Sequence, residues 1–306
     1  RPDESIPLAE LLQQRSGEAA DVWDSLARSQ HDQALWDSAV SDRDAGKALG
    51  PFWSLGELSE ALANQPFLLQ RRFGAVQPDK VRACDDYLRS GGNSASFFKR
   101  RAKLPTVDTF MSLCYVVATI FQCDVNFWKR DHASAYRQVL LDIASLCLAA
   151  YAFRSPCGSR VAFLHLANPF GASAAVTNYL RLGHALTFLA REMFVNPVDS
   201  FFDDYWGVIP VGHPYAQSFD VFGELNSILG FEIKIKKDVP PGAEGPLLGH
   251  HVKLAFPPEL RNTPSRIANI AGMVGEALRT DSLSERCAGE LAGKSGFACS
   301  ALWGRC

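Results

Sequence analysis

Ser200-Phe201-Phe202-Asp203-Asp204-Tyr205-Trp206-Gly207-Val208 is the stretch on which the reading of this 306-residue chain turns. Two adjacent carboxylates lie between two short aromatic-rich runs, the pattern of a strand, a tight turn carrying Asp203 and Asp204, and a returning strand. Neither run contains a counter-charge. Like charges this close are costly to bury unless a cation sits beside them, so the pattern asks for a divalent metal or a basic neighbour. The plainer alternative is an Asp-Asp turn whose side chains only bond the local backbone.

Upstream, residues 124–139 read Asp124-Val125-Asn126-Phe127-Trp128-Lys129-Arg130-Asp131-His132-Ala133-Ser134-Ala135-Tyr136-Arg137-Gln138-Val139. An apolar strand runs into Asp131, small residues follow, and Tyr136 comes five positions later. A carboxylate at the C-terminal end of a strand can ligate a metal. The small residues let the backbone approach a ligand, and Tyr136 would lie one turn on, beside the same pocket. The competing reading makes Asp131 the N-cap of a helix. Before it, Phe110, Leu113, Val116, Val117, Ile120 and Phe121 predict a buried amphipathic helix over 107–123.

Further back, Arg71, Arg72, Lys80 and Arg82 put four cations into twelve residues, interrupted by Gly74 and Pro78 as in a hairpin. Lys80 and Arg82 share one strand face. With Asp85, Asp86 and Asn93 after them they could hold a triphosphate, or merely blunt an edge strand. A second basic run, Lys99-Arg100-Arg101-Ala102-Lys103, suits a phosphate backbone or a solvated loop. Residues 1–65 carry helical spacing and read as surface helices, with a linker at Asp42–Gly50 and no evident chemistry.

Between and after the acidic stretches, residues 147–165 predict strand, turn and strand, and Asn168-Pro169-Phe170-Gly171 breaks the chain before a long helix over 173–193. A helix is expected over 215–230, then a strand over the alternating Phe231–Lys237, then a hairpin at Leu247–Val252. The adjacent His250 and His251 would point to opposite faces of that hairpin, so they are not expected to share an ion. Two helices follow, one centred on 267–278 and one from Ser282.

Composition bounds the class. Apolar residues make up 47% of the chain, enough for a packed core. The formal net charge of −2 does not advertise a wholesale polyanion-binding surface, so any nucleic-acid contact must be local. No run of eighteen apolar residues suggests a membrane span, and Arg1-Pro2-Asp3-Glu4 is neither a signal peptide nor an initiator Met, as if the chain were cut from something longer. Eight scattered cysteines without a C-x-x-C pair argue against a zinc knuckle and for free thiols in a reducing compartment, the cytoplasm or nucleus.

Taken in order, Asp131-x-x-Ser134-Ala135-Tyr136, Pro169-Phe170-Gly171 and Phe201-Phe202-Asp203-Asp204 resemble the palm motifs of retroelement reverse transcriptases. Lys80-x-Arg82 and Asp86 resemble the basic fingers segment of such enzymes. Leu229-Gly230-Phe231 with Lys236-Lys237, and Leu247-Leu248-Gly249, resemble the fourth and fifth palm motifs. Leu291–Phe297 and Trp303-Gly304-Arg305 resemble the lineage whose elements carry a tyrosine recombinase. Phe201 stands where the family commonly has Tyr, and Arg130 where an apolar residue often precedes the first Asp.

The resemblance implies an α+β, right-hand polymerase fold. It would comprise an N-terminal helical extension at 1–69, fingers at 70–125, a palm at 126–252 with a fingers insertion near 145–166, and the start of a thumb or connection at 253–306. It implies RNA-directed DNA synthesis, adding dNTPs to a primer paired with an RNA or DNA template, with two Mg²⁺ ions (Mn²⁺ as substitute). Asp131 and Asp203 would hold the metals, with Asp204 in support. Lys237, or else Lys236, would protonate departing pyrophosphate. Lys80, Arg82, Tyr136, Phe170 and Gly171 would contact the nucleotide, Tyr136 by excluding a 2′-hydroxyl. Two alternatives stay open: an RNA-copying polymerase with a related palm, and an inactive remnant that only binds nucleic acid.

Overall fold

The computed structural model describes residues 6–77, 80–96, 104–213, 217–255 and 258–299; the basic run Lys99–Lys103 lies outside them. In chain order the elements begin with helices α1 (Leu8–Arg15), α2 (Glu18–Asp24) and α3 (Asp32–Asp44), strand β1 (Ala48–Phe52) and helix α4 (Leu55–Ala61). Strands β2 (Leu69–Gln77) and β3 (Lys80–Asp85), helix α5 (Val107–Phe121), and strands β4 (Val125–Asp131), β5 (Ala150–Arg154) and β6 (Arg160–His165) come next. Helix α6 (Ser173–Phe194) leads to β7 (Val198–Phe201), β8 (Asp204–Pro210) and helix α7 (Ser218–Ile228). The chain closes with β9 (Val239–Gly242), β10 (Glu244–Leu247), β11 (His250–Lys253), β12 (Glu259–Asn262), α8 (Pro264–Thr280) and α9 (Glu285–Cys299). The protein is α+β, with three sheets.

Two compact units divide the chain, residues 1–102 with 134–182 and residues 103–133 with 183–306. The boundary expected at residue 69 therefore falls inside the first unit. The N-terminal helices belong to that unit because they cover its sheet, a mixed one of order β1-β6-β5-β2-β3 in which only β2 and β5 run parallel. Alternation along the strands sorts small from large residues. Ala150, Ala152, Ala162 and Leu164 face Ala19, Leu26, Leu58 and Leu62, whereas Tyr151, Phe153, Val161 and Phe163 cluster with Leu35 and Ala39 of α3.

The expected linker at Asp42–Gly50 is corrected: α3 continues through Asp44, and Ala48–Phe52 pairs antiparallel with β6. Pro51 suits this place because β1 is an edge strand, where a missing N–H costs no ladder bond.

In the second unit an antiparallel sheet of order β7-β8-β4-β9 carries the Asp-Asp hairpin. Phe110 of α5 meets Phe127 and Trp206 edge-on at 5.4 and 5.3 Å. Phe110 and Phe127 are fully buried, and each such side chain stabilises by roughly 1.5–3 kcal/mol. On the opposite face Trp128 packs on Phe219 and Phe222 of α7 and donates its indole N–H to Ser218 Oγ at 2.5 Å. Gly207 is required beneath it, since a Cβ there would come within 2.5 Å of the indole.

The expected strand at Phe231–Lys237 does not form. Val239–Gly242 takes the ladder beside β4, so the preceding segment makes one bridge, His132 to Ile233, and a 3₁₀ turn over Ile235–Lys237. The hairpin expected at 247–252 is present as β10–β11, His250 buried and His251 half-buried on alternate faces, and β12 extends it. None of the described helices is long and apolar enough to cross a membrane, and the seven described cysteines are all free.

Candidate active site

The antiparallel register of β4 and β8 sets Asp131 directly opposite Asp204, and cross-strand partners project from the same face. Phe202 and Asp203 form the loop between the paired Phe201 and Asp204. Phe202 sits at φ 53°, a left-handed conformation that costs a non-glycine residue on the order of 1 kcal/mol. Asp203, half-buried in the turn, accepts a hydrogen bond from the His132 N–H on its backbone carbonyl. Thus Asp204 faces Asp131, where the resemblance gave Asp203 the leading role and Asp204 the supporting one.

Two ammonium groups neutralise the pair. Lys129 Nζ lies 3.0 Å from Asp131 Oδ1 and 3.1 Å from Asp204 Oδ1, and Lys237 Nζ lies 2.6 Å from Asp131 Oδ2. Lys129 reaches the pair because residues two apart on a strand share a face. Lys237 reaches it because the chain after α7 is pinned to the end of β4: Ala133 N–H donates to the Glu232 carbonyl and Lys234 N–H to the Asp131 carbonyl.

Burial would raise the Asp131 carboxyl, but its hydrogen bond with Asp204 and the two lysines hold it at about 2. Burial and the bond to Asp131 push Asp204 up to about 7, so the two behave as one carboxylate and one group that titrates near neutrality. Lys129 is lowered by burial but raised more by Asp204 and Asp131, and stays charged. Beneath the pair His132, kept neutral by burial, packs on Tyr205 and Phe231 and hydrogen-bonds Asn226 Oδ1 at 2.7 Å. Arg130 points to the other face, 3.6 Å from the centre of the Phe219 ring and 3.4 Å from Asp238.

The five residues expected to contact a nucleotide lie in the first unit. Lys80 and Arg82 are exposed on β3, and Arg82 stands over the Phe170 ring at 5.3 Å. The Tyr136 ring meets Phe170 and Tyr179 edge-on at 5.7 and 5.5 Å. Gly171, at φ 107°, packs so closely on the Asp85 carbonyl that a Cβ would collide with it. Asp85, counted above among possible triphosphate ligands, is instead buried against Arg72, its Oδ1 2.8 Å from Nε and its Oδ2 3.0 Å from Nη2.

The rest of that buried network has no short-range sequence signal. His165 donates Nε2–H to Asp85 Oδ2 at 2.8 Å and accepts from Arg137 on Nδ1 at 2.9 Å, while Arg137 also pairs with Asp42 at 3.0 Å. Lys129 has a local signal toward Asp131, two positions on, but none toward Asp204, which it meets only across the ladder.

The donor set fits magnesium. Both carboxylates offer hard oxygen atoms to one cation position, and Mg²⁺ is commonly held by one or two carboxylates plus substrate phosphates. Among the described residues no group of three His, Cys, Asp or Glu side chains converges, so such an ion would depend on oxygens brought by the substrate. No protein-family model matches the chain, and no curated protein matches it.

Proposed function

We propose that the chain is the polymerase region of a retroelement reverse transcriptase, a right-hand enzyme that adds dNTPs to a primer 3′-hydroxyl on an RNA template. The reading takes the first unit as fingers, the second as palm, and α8–α9 as the start of a thumb. The observation that carries it is the register that sets Asp131 against Asp204 at the mouth of a strained hairpin, with Lys129 bridging them. The ordered motifs add to it.

When bound, magnesium would activate the attacking hydroxyl and neutralise the triphosphate. Asp131 and Asp204 would hold it, and Asp203, next in the turn, would support them. Lys237, half-exposed and tethered only at its tip, is free to move from Asp131 Oδ2 to the leaving pyrophosphate and donate its Nζ proton there. Arg82, Phe170 and Tyr136 form one patch suited to a nucleotide, cation beside aromatic faces.

The inactive-remnant reading draws on a different observation, that both oxygens of Asp131 are already held by lysines. Primer extension with Mg²⁺ on RNA and DNA templates, offering dNTPs or rNTPs, separates the readings. Extension with dNTPs on RNA that falls at least 10²-fold in Asp131→Asn supports the proposal. Preference for rNTPs replaces it with an RNA-copying polymerase, and absence of extension by the folded chain replaces it with the remnant.

A further inference from the structure

Lys129 differs from every other cation near the acidic pair. Its Nζ is equidistant, within 0.1 Å, from one oxygen of Asp131 and one of Asp204, the bridging position that an ion shared by the two carboxylates would take. Its side chain is 16% exposed, against 53% for Lys237, so it is largely enclosed and not resting on the surface. Strand alternation fixes it on this face. An ammonium and a divalent ion cannot both lie about 3 Å from the same two oxygens without strong repulsion. The flexible four-carbon stem and the remaining exposure give the ammonium a way out.

We propose that Lys129 is a resident counter-ion which a divalent cation must displace, and that it thereby sets how tightly the Asp131–Asp204 pair takes metal. The inference rests on the metal-binding part of the function proposed above, and does not require catalysis. It makes Lys129 a specificity device: the pair is neutralised in the free protein and opens to a cation only when the gain in coordination, including substrate phosphate, exceeds the loss of the ammonium.

The test is Mn²⁺ binding at fixed pH, read from the free-ion electron paramagnetic resonance signal, with the unaltered chain, Lys129→Met and Asp131→Asn. Lys129→Met is expected to bind about tenfold more tightly, because attraction to the pair is no longer shared with an ammonium. Asp131→Asn is expected to lose binding. Equal or weaker binding by Lys129→Met, with binding lost in Asp131→Asn, overturns the role of Lys129 and leaves the metal reading standing. Undiminished binding by Asp131→Asn overturns both.

Should Lys129→Met not fold, the unaltered chain supplies the answer through amine acetylation followed by peptide mass spectrometry. Saturating Mn²⁺ is expected to raise Lys129 labelling severalfold as the ammonium is released. Unchanged labelling at saturation overturns the proposal.

Discussion

Two charge clusters, one in each unit, each set two carboxylates beside two cations, to opposite ends. In the first, Arg72, Arg137, Asp85 and Asp42 balance two charges against two, and neutral His165 links them through both ring nitrogens. Arg72 and Asp85 are almost fully enclosed, and the Arg72 guanidinium also covers the Tyr151 ring at 3.5 Å. In the second, two carboxylates face each other across a ladder, and their cations are lysines, one of them half in solvent. Planar, forked arginines lock a carboxylate, whereas lysines are single points of charge on mobile stems. The first cluster is suited to holding strands together. The second is suited to exchanging its cations.

The largest expected contrast is in stability. Arg72→Met strands the Asp85 carboxylate in the interior and should cost about 3–5 kcal/mol in urea denaturation. Asp131→Asn removes one of two facing carboxylates but strands no cation, since Lys129 keeps Asp204 and Lys237 is half in solvent, so the expected loss is smaller, about 1–2 kcal/mol. Equal losses would break the distinction between a locked and an exchangeable cluster.

Acid should act on the clusters in opposite directions. Burial holds His165 at about 4, against the bond to Asp85 that would raise it, while an unfolded chain takes the proton near 6.5. Between those values the unfolded state binds more protons, so stability falls as pH drops from 6.5 to 4, by on the order of 3 kcal/mol. The Asp85 carboxyl, for which burial is outweighed by Arg72 and His165, is held well below its usual range and gives way only at lower pH.

Asp204 has the reverse sign. With its folded value at about 7, the fold binds the proton first, and stability rises as pH drops from 7 towards 4. His165→Gln should remove the acid loss and Asp204→Asn the acid gain, each read from unfolding midpoints across that range. A shared sign for the two variants would count against the comparison.

The smallest effect is expected at Lys237. Because its side chain is half-exposed, Lys237→Ala should change unfolding free energy by less than about 1 kcal/mol. A larger loss would make Lys237 a structural clamp on Asp131 and not a mobile donor.

What the sequence disclosed follows the range of the forces involved. The 200–208 hairpin, the 107–121 helix and the strand ending at Asp131 were legible because alternation, aromatic content and turn residues act within a few positions. The counter-charge for the Asp pair was not, because Lys129 sits some seventy residues upstream and becomes a neighbour only through the ladder. Phe231–Lys237 alternates like a strand, but a strand also needs a free edge, and Val239–Gly242 occupies it. Asp42–Gly50 read as a linker because it is charged and contains glycine, whereas the pairing of Ala48–Phe52 with β6 depends on a strand far along the chain. The Arg72–Asp85–His165–Arg137 network joins three segments, and nothing local distinguishes Arg72 inside from Arg71 beside it.

The two units are threaded through one another in sequence, the chain passing from one to the other three times. During synthesis, β4 is made about seventy residues before its partner β8. At ribosomal speeds of roughly 5–20 residues per second, its Val125, Phe127 and Trp128 wait on the order of 4–15 s for β8. Over that interval the nascent chain exposes an unpaired apolar strand, an edge with which other chains can pair.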